Sequence, residues 1–310
     1  MKVIFLGTPD FGVPALESII RSNHEVIAVV CQPDKTGSRG KVNYCAVKQC
    51  ALQHGIPLYQ FERISRDGVE TLKQLRPDIM VTAAYGQILS QQVIDIPAHG
   101  IINIHGSLLP QYRGAAPIQY AVLKGDKTTG ITILNTVLKV DAGEMILQES
   151  LEIGDDETSG QLFERMAQLG GKLIVRALDL IEQGKAVYTP QDESKVTFSQ
   201  KITSDMEKID WNMSAQEVHN LVRALNPSPV AWTSVEGKRV KIYATAVSDV
   251  VRHTKPCGTV LSCGKKNLTV ACGNGTAIDI LTLQCENSRC MDIVSYLCGR
   301  KISEGTVLGK

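Results

Sequence analysis

The sequence predicts a doubly wound, mostly parallel, Rossmann-like α/β sheet followed by a smaller β-barrel domain. Short apolar runs alternate with amphipathic stretches through the first half, the pattern of a parallel sheet covered on both faces. A polar segment without helical period follows, at 187–203. Beyond it the texture changes to short strand-like runs parted by Gly or charged turns. The expected division is a first domain over 1–188, a linker over 189–206 and a second domain over 207–310.

The elements follow in order. Apolar strands are expected at 2–7 (KVIFLG), 25–32 (EVIAVVCQ), 78–84 (DIMVTAA), 100–105 (GIINIH) and 131–137 (ITILNTV). Helical stretches at 12–22, 45–54, 68–76 and 115–124 separate them, and a long pattern from Thr158 to Gln183 closes this half. A helix at 214–224 opens the second domain. Strand-like runs then occur at 232–235, 240–244, 258–261, 268–271, 277–283 and 305–308. In doubly wound sheets ligands collect outside the carboxyl ends of the strands, which places Gly7, Gln32, Ala84 and His105 along one rim.

Composition narrows the classes. At 43% hydrophobic and 21% charged residues, the chain has the make-up of a globular protein. It lacks an apolar run of membrane-spanning length and a signal-peptide core, so a cytoplasmic protein without membrane attachment is expected. Nine cysteines lie scattered, with no C-x-x-C pair, which points to free thiols in a reducing compartment. The net charge is +1, yet residues 204–310 carry 13 Lys/Arg against 10 Asp/Glu, a mild bias compatible with a nucleic-acid partner. Gly7-Thr8-Pro9-Asp10-Phe11-Gly12 stands where a dinucleotide fold carries G-x-G-x-x-G. Pro9 and Phe11 occupy positions where a pyrophosphate needs bare backbone, which argues against a nicotinamide dehydrogenase.

The residues that suggest chemistry are Asn103, His105 and Asp141. Asn103 and His105 are two apart on a strand and share a face beside a Gly turn. Asp141 follows the last apolar strand of the first domain and could return to the same rim. An amide, an imidazole and a carboxylate together would let one group polarise a carbonyl, one shuttle a proton and one set the charge of the imidazole.

These residues also carry a resemblance. Asn103-x-His105 followed by Ser107-Leu108-Leu109-Pro110-x-Tyr112-Arg113-Gly114, with an Asp 36 residues after the His, resembles the signature of the folate-dependent formyltransferases. Likeness extends over nearly the whole chain. It includes Gly7-Thr8-Pro9-Asp10-Phe11, Gln32-Pro33-Asp34-Lys35 with Ser38-Arg39-Gly40-Lys41, Ala84-Tyr85-Gly86-Gln87-Ile88-Leu89, and Asp210-Trp211 with Arg223-Ala224-Leu225-Asn226-Pro227.

By that resemblance Asn103, His105 and Asp141 would be catalytic. Ala84, Tyr85, Gly86, Gln87, Ile88 and Leu89, with Ser107, Leu108, Leu109 and Pro110, would form the folate site, and Arg113 would be architecture that positions the trio. The formyl donor would be 10-formyltetrahydrofolate and the acceptor the α-amino group of methionine on charged initiator tRNA. Lys35, Arg39 and Lys41 would meet the tRNA, helped by a second domain resembling an OB-fold. No metal is expected, because the aryl nitrogen already activates the formyl amide, and the chain is expected to be a monomer. Within the family the alternative acceptor is an amino-sugar nucleotide. From another class, the alternative is a non-catalytic RNA-binding protein that uses the barrel alone.

Overall fold

A computed structural model describes residues 1–36, 42–249, 252–264, 267–299 and 302–310. They form two compact units, one of 1–117, 128–152 and 163–199, the other of 118–127, 153–162 and 200–310.

The first unit is built on seven strands: β1 (Lys2–Gly7), β2 (Glu25–Cys31), β3 (Leu58–Gln60), β4 (Ile79–Ala83), β5 (Ile101–His105), β6 (Thr128–Asn135) and β7 (Met145–Glu152). Their order is β7-β6-β5-β4-β1-β2-β3. Strands β1 to β5 pair in parallel, and β6 and β7 add antiparallel ladders at the β5 edge. The order reverses between β1 and β4, the switch point where such sheets bind ligands.

Strands β1 and β4 are buried almost throughout, and the sheet is covered by α1 (Val13–Ile20), α2 (Ala46–Gln53), α3 (Val69–Leu75) and most of a long helix at Ser159–Glu182. That helix buries Met166, Leu169, Leu173, Ile174, Ala177, Leu178 and Ile181, spaced three or four apart on one stripe. Each such aliphatic side chain contributes about 1.5–3 kcal/mol when fully buried. Gly170 and Gly171 permit the close approach: a Cβ at Gly170 would lie 2.9 Å from the Ile104 side chain, and one at Gly171 would lie 2.8 Å from the Pro14 carbonyl.

One expectation for the first half needs correction. The strand Met145–Glu152 was not foreseen. It lies at the sheet edge with Gln148, Glu149 and Ser150 exposed, so its alternation of apolar and polar residues is weak. Of the linker expected at 189–206, residues 189–199 group with the first unit. Thr189 and Met145 exchange backbone hydrogen bonds of 2.8 and 2.9 Å, and Phe198–Ser199 pairs in parallel with Arg113–Gly114. This stretch docks through hydrogen bonds, so it carries no apolar period.

The second unit gathers residues 118–127 and 153–162 around its own core, which places part of the expected first domain there. Its helix α6, counting Pro117–Lys124 as α4 and Ser159–Glu182 as α5, spans Ala215–Ala224. A capping box starts it: Glu217 N–H donates to Ser214 Oγ at 3.3 Å and Ser214 N–H to Glu217 Oε2 at 2.8 Å. Arg223 on this helix is buried. It donates to the carbonyls of Val122 (3.4 Å), Gly154 (3.2 Å) and Glu157 (3.3 Å), which ties the three segments together. Asn226 continues the tie, its carbonyl accepting from Ser159 Oγ and Gly160 N–H at 3.0 Å each. The Arg-Ala-Leu-Asn-Pro motif thus has a structural role.

The sheet of this unit has six strands, β8 (Trp232–Val235), β9 (Lys238–Val247), β10 (Val260–Cys263), β11 (Leu268–Ala271), β12 (Ala277–Cys285) and β13 (Met291–Asp292), in antiparallel order β8-β9-β12-β11-β10 with β13 on β12. The strand expected at 305–308 is instead a run of single bonds. Leu308 N–H donates to the Gly258 carbonyl and Gly309 N–H to the Ser234 carbonyl, each at 2.8 Å, so the segment spans both edges of the half-barrel. Trp211, Val218, Leu221, Val240, Ile242, Val270 and Ile280 fill its core.

Candidate active site

Asn103 and His105 leave the sheet on the same face of β5. Across the ladder Asn103 is paired with Thr82 on β4, and Thr82 Oγ1 donates to Asn103 Oδ1 at 2.8 Å. That bond fixes the amide, so its Nδ2 donors face away from Thr82. The His105 ring is buried, with Nε2 3.0 Å from the Tyr112 carbonyl. A carbonyl only accepts, so Nε2 carries the proton and Nδ1 is the nitrogen turned toward the site.

Asp141 reaches these groups from an unexpected direction. Strand β6 runs antiparallel to β5, so Asn135 ends beside Ile102, away from His105. A turn then carries the chain back: Ala142 N–H donates to the Lys139 carbonyl at 3.2 Å, and Asp141 adopts a left-handed conformation with φ of 50°. Asp is among the few residues that tolerate this region. The excursion closes where Asn135 N–H meets the Glu144 carbonyl at 2.9 Å.

The three groups converge. Asp141 Oδ1 lies 3.5 Å from Asn103 Nδ2 and 3.6 Å from His105 Nδ1, while Oδ2 accepts from Gly114 N–H at 2.8 Å. Contacts of 3.5–3.6 Å are at the long end for hydrogen bonds. Gly114 itself has a φ of 122°, and a Cβ there would stand 2.3 Å from the Ser199 carbonyl, so the donor to Asp141 must be glycine.

Behind Asp141 stands Arg113, whose relative exposure is 1%. Its Nε and Nη2 donate to Gln191 Oε1 at 3.0 and 2.8 Å, and Nη2 also reaches Glu193 Oε1 at 2.7 Å. The hydrogen bonds from Arg113 and Lys139 hold the Glu193 carboxyl down to about 2. Arg113 is thus buried in a hydrogen-bonded network behind the Asp141 turn. Gln191, Glu193 and Thr82 were not foreseen; their roles arise from tertiary contacts.

The other expected site residues fall into three groups. Ala84 and Gly86 are exposed and have positive φ, and Ile88 is 81% exposed. The side chains of Tyr85, Leu89, Ser107 and Leu109 are buried in the protein. Burial pushes the Tyr85 phenol well above its ordinary range, so it stays neutral. Gln87 is also turned inward, donating to the Phe61 carbonyl at 2.9 Å and accepting from Ile64 N–H at 2.8 Å. The Tyr85 carbonyl accepts from Thr8 Oγ1 (3.1 Å) and Gln32 Nε2 (3.2 Å), anchoring the loop after β4 beside the ends of β1 and β2. Leu108 and Pro110 are half-buried. Arg39 and Lys41 lie outside the described residues, and Lys35 begins a two-residue ladder with 42–43.

Elsewhere in the first unit His24, Asp179 and Glu182 come together, but these groups already engage an ammonium. Met1 N donates to Glu182 Oε1 at 2.9 Å and lies 3.3 Å from His24 Nδ1. All nine cysteines are free thiols. Among the described residues no helix is long and apolar enough to cross a membrane.

A doubly wound unit with an amide, an imidazole and a carboxylate converging at the end of a central strand, and an antiparallel half-barrel unit after it, defines a two-domain group-transfer enzyme. The chain belongs to the formyl transferase family, matching its N-terminal description over residues 1–178 and its C-terminal domain description over residues 201–301. It is similar along its full length to proteins named methionyl-tRNA formyltransferase. The one from Acetivibrio thermocellus is 44% identical over 312 residues, covering 100% of both chains, and the one from Agathobacter rectalis is 42% identical over 308 residues, covering 99% of both. Among solved structures, the fold is similar to an N-formyltransferase from Helicobacter canadensis, solved with folinic acid and dTDP-3-aminofucose. That likeness has a TM-score of 0.69 and 17% identity, over 90% of this chain and 98% of the other. It is also similar to the sugar 3N-formyl transferase WlaRD, with a TM-score of 0.70 and 18% identity over 93% and 99%.

Proposed function

We propose that the chain transfers the formyl group of 10-formyltetrahydrofolate to the α-amino group of methionine on charged initiator tRNA, in the cytoplasm and as a monomer, with Asn103, His105 and Asp141 as its catalytic groups. The observation that carries the chemistry is their convergence within 3.5–3.6 Å of one carboxylate oxygen. Relatives alike over the full length, at 42–44% identity, support the tRNA acceptor. The solved sugar formyltransferases, at 17–18% identity, bear on fold alone.

In this reading the neutral amine attacks the formyl carbon and negative charge grows on the formyl oxygen. Asn103 Nδ2, held by Thr82, donates to that oxygen, and protonated His105 donates through Nδ1. Prepositioned donors of this kind are each worth about 10²–10³-fold in rate. As the bond between the formyl carbon and N10 breaks, one proton passes from the attacking nitrogen to N10, with Asp141 and His105 as its carriers. The Asp141 carboxylate also balances the charge of the ring. The loop after β4 suits a flat pterin: its Tyr85 and Gln87 anchors are internal, while Ala84, Gly86 and Ile88 offer exposed backbone and an apolar side chain.

Lys35, Arg39 and Lys41 would contact the acceptor's phosphates. Binding a phosphate backbone releases counterions, so the apparent affinity for charged tRNA should fall steeply from low to moderate salt. Arg39→Ala should raise KM for charged tRNA and flatten the salt dependence by about one phosphate contact, leaving KM for the folate unchanged. Steady-state kinetics across a salt series check this. Salt-insensitive kinetics with charged tRNA would contradict the acceptor assignment.

A further inference from the structure

We propose that Gln191 is a positioning residue for the reaction: its side-chain amide sets the backbone turn that holds Asp141 against Asn103 and His105. This rests on the reading of Asp141 as catalytic.

The amide touches both sides of the problem. Gln191 Nε2 donates to the carbonyl of Asp141 and to the carbonyl of Gly143, each at 2.8 Å, so it spans the turn from both flanks of Ala142. Its Oε1 accepts from Nε and Nη2 of Arg113 at 3.0 and 2.8 Å. Both amide hydrogens and both lone pairs of the oxygen are thereby used. The orientation has no alternative, because a flipped amide would set its NH2 against a guanidinium and its oxygen against two carbonyls.

The neighbours of Gln191 extend the same strap. Thr189 pairs with Met145 through two backbone hydrogen bonds, just beyond the turn. Glu193 takes Arg113 Nη2 on one oxygen and Lys139 Nζ, at 2.9 Å, on the other. Thr189, Gln191 and Glu193, the last of them opening a single 3-10 turn, thus fasten Met145, the Asp141 turn and Lys139. Asp141 sits at a φ of 50°, in a region that is strained for a non-glycine residue and persists only where surroundings over-determine it. Gln191 supplies that determination, and it does so without facing the substrate.

The decisive variant is Gln191→Glu. It preserves length and keeps an acceptor for Arg113, but it presents oxygen where the two carbonyls need N–H. A residue that only neutralises or packs against Arg113 would tolerate this change. A residue that holds the Asp141 turn would not. Expected for Gln191→Glu is a fall in kcat of about 10- to 100-fold, KM for folate and tRNA nearly unchanged, and a melting temperature near that of the wild type. Gln191→Ala should show the same split between kcat and KM.

In an Asp141→Asn background, Gln191→Glu should cost less than about twofold more, because the group it positions is already lost. Wild-type kcat for Gln191→Glu, or a full additional loss in the Asp141→Asn background, overturns the proposal and leaves the catalytic trio standing. Wild-type activity of Asp141→Asn itself overturns both.

Discussion

Replacing His105 with alanine is expected to lower kcat for formyl transfer by about 10²-fold or more, with little change in KM for the folate. The ring has two separable jobs. Its Nε2–H is committed to the Tyr112 carbonyl at 3.0 Å, which fixes the ring plane. Its Nδ1 lies 3.6 Å from Asp141 Oδ1 and, in the proposed mechanism, donates to the formyl oxygen. Groups that act mainly on the transition state reduce kcat and kcat/KM together, whereas groups that bind substrate uniformly raise KM.

The same split is expected for Asn103→Ala and Asp141→Asn. The latter is the sharper variant at 141, since asparagine tolerates the left-handed backbone and its side-chain oxygen can still accept from Gly114 N–H. Steady-state kinetics with each substrate varied separately make the test. Near-normal turnover by His105→Ala would remove it from the mechanism.

A second large effect is expected two residues beyond Asp141. A Cβ on Gly143 would lie 1.8 Å from the carbonyl oxygen of Asn135, the residue whose N–H closes this hairpin on the Glu144 carbonyl. The strand or the turn must move by more than an ångström, and the Gly143 carbonyl is one of the two that Gln191 holds. Gly143→Ala should therefore cost about 1–3 kcal/mol in stability and about 10²-fold in kcat through displacement of Asp141. Gly299→Ala, where a Cβ meets no atom of the described residues within 4 Å, serves as the control. Thermal melts and kinetics on both variants check the pair. A Gly143→Ala protein with wild-type melting temperature and turnover would show that the turn does not position the carboxylate.

Much of this site was legible in the sequence because its first two members obey a simple rule. Asn103 and His105 are two apart on an apolar strand that ends at a glycine, so a shared face follows from strand geometry alone. Asp141 was a weaker inference. Its strand runs antiparallel to β5, and only the turn through a positive φ returns it to the other two. Periodicity says nothing about such a reversal.

Gln191 was hidden for a related reason. It lies in a polar stretch that has the composition of an exposed linker, yet Thr189, Gln191 and Ser199 are fastened by backbone and amide hydrogen bonds. The side chains of Tyr85, Leu89 and Gln87 anchor the loop after β4 from within, an inward orientation that the motif alone does not give. The compact units differ from the expected division at 118–127 and 153–162, which group with the second core, where Arg223 and Asn226 bond to them. Contacts between segments so distant in sequence leave no local pattern.

The most direct measurement follows a labelled formyl group from 10-formyltetrahydrofolate into two acceptors offered separately, methionyl initiator tRNA and an amino-sugar nucleotide, with wild-type protein and with Asp141→Asn. Label in the methionyl amide of the tRNA, absent from the sugar nucleotide and reduced by about 10²-fold or more in the variant, is the result expected. Label in the sugar nucleotide with none in the tRNA, or equal labelling by wild type and variant, would contradict the account.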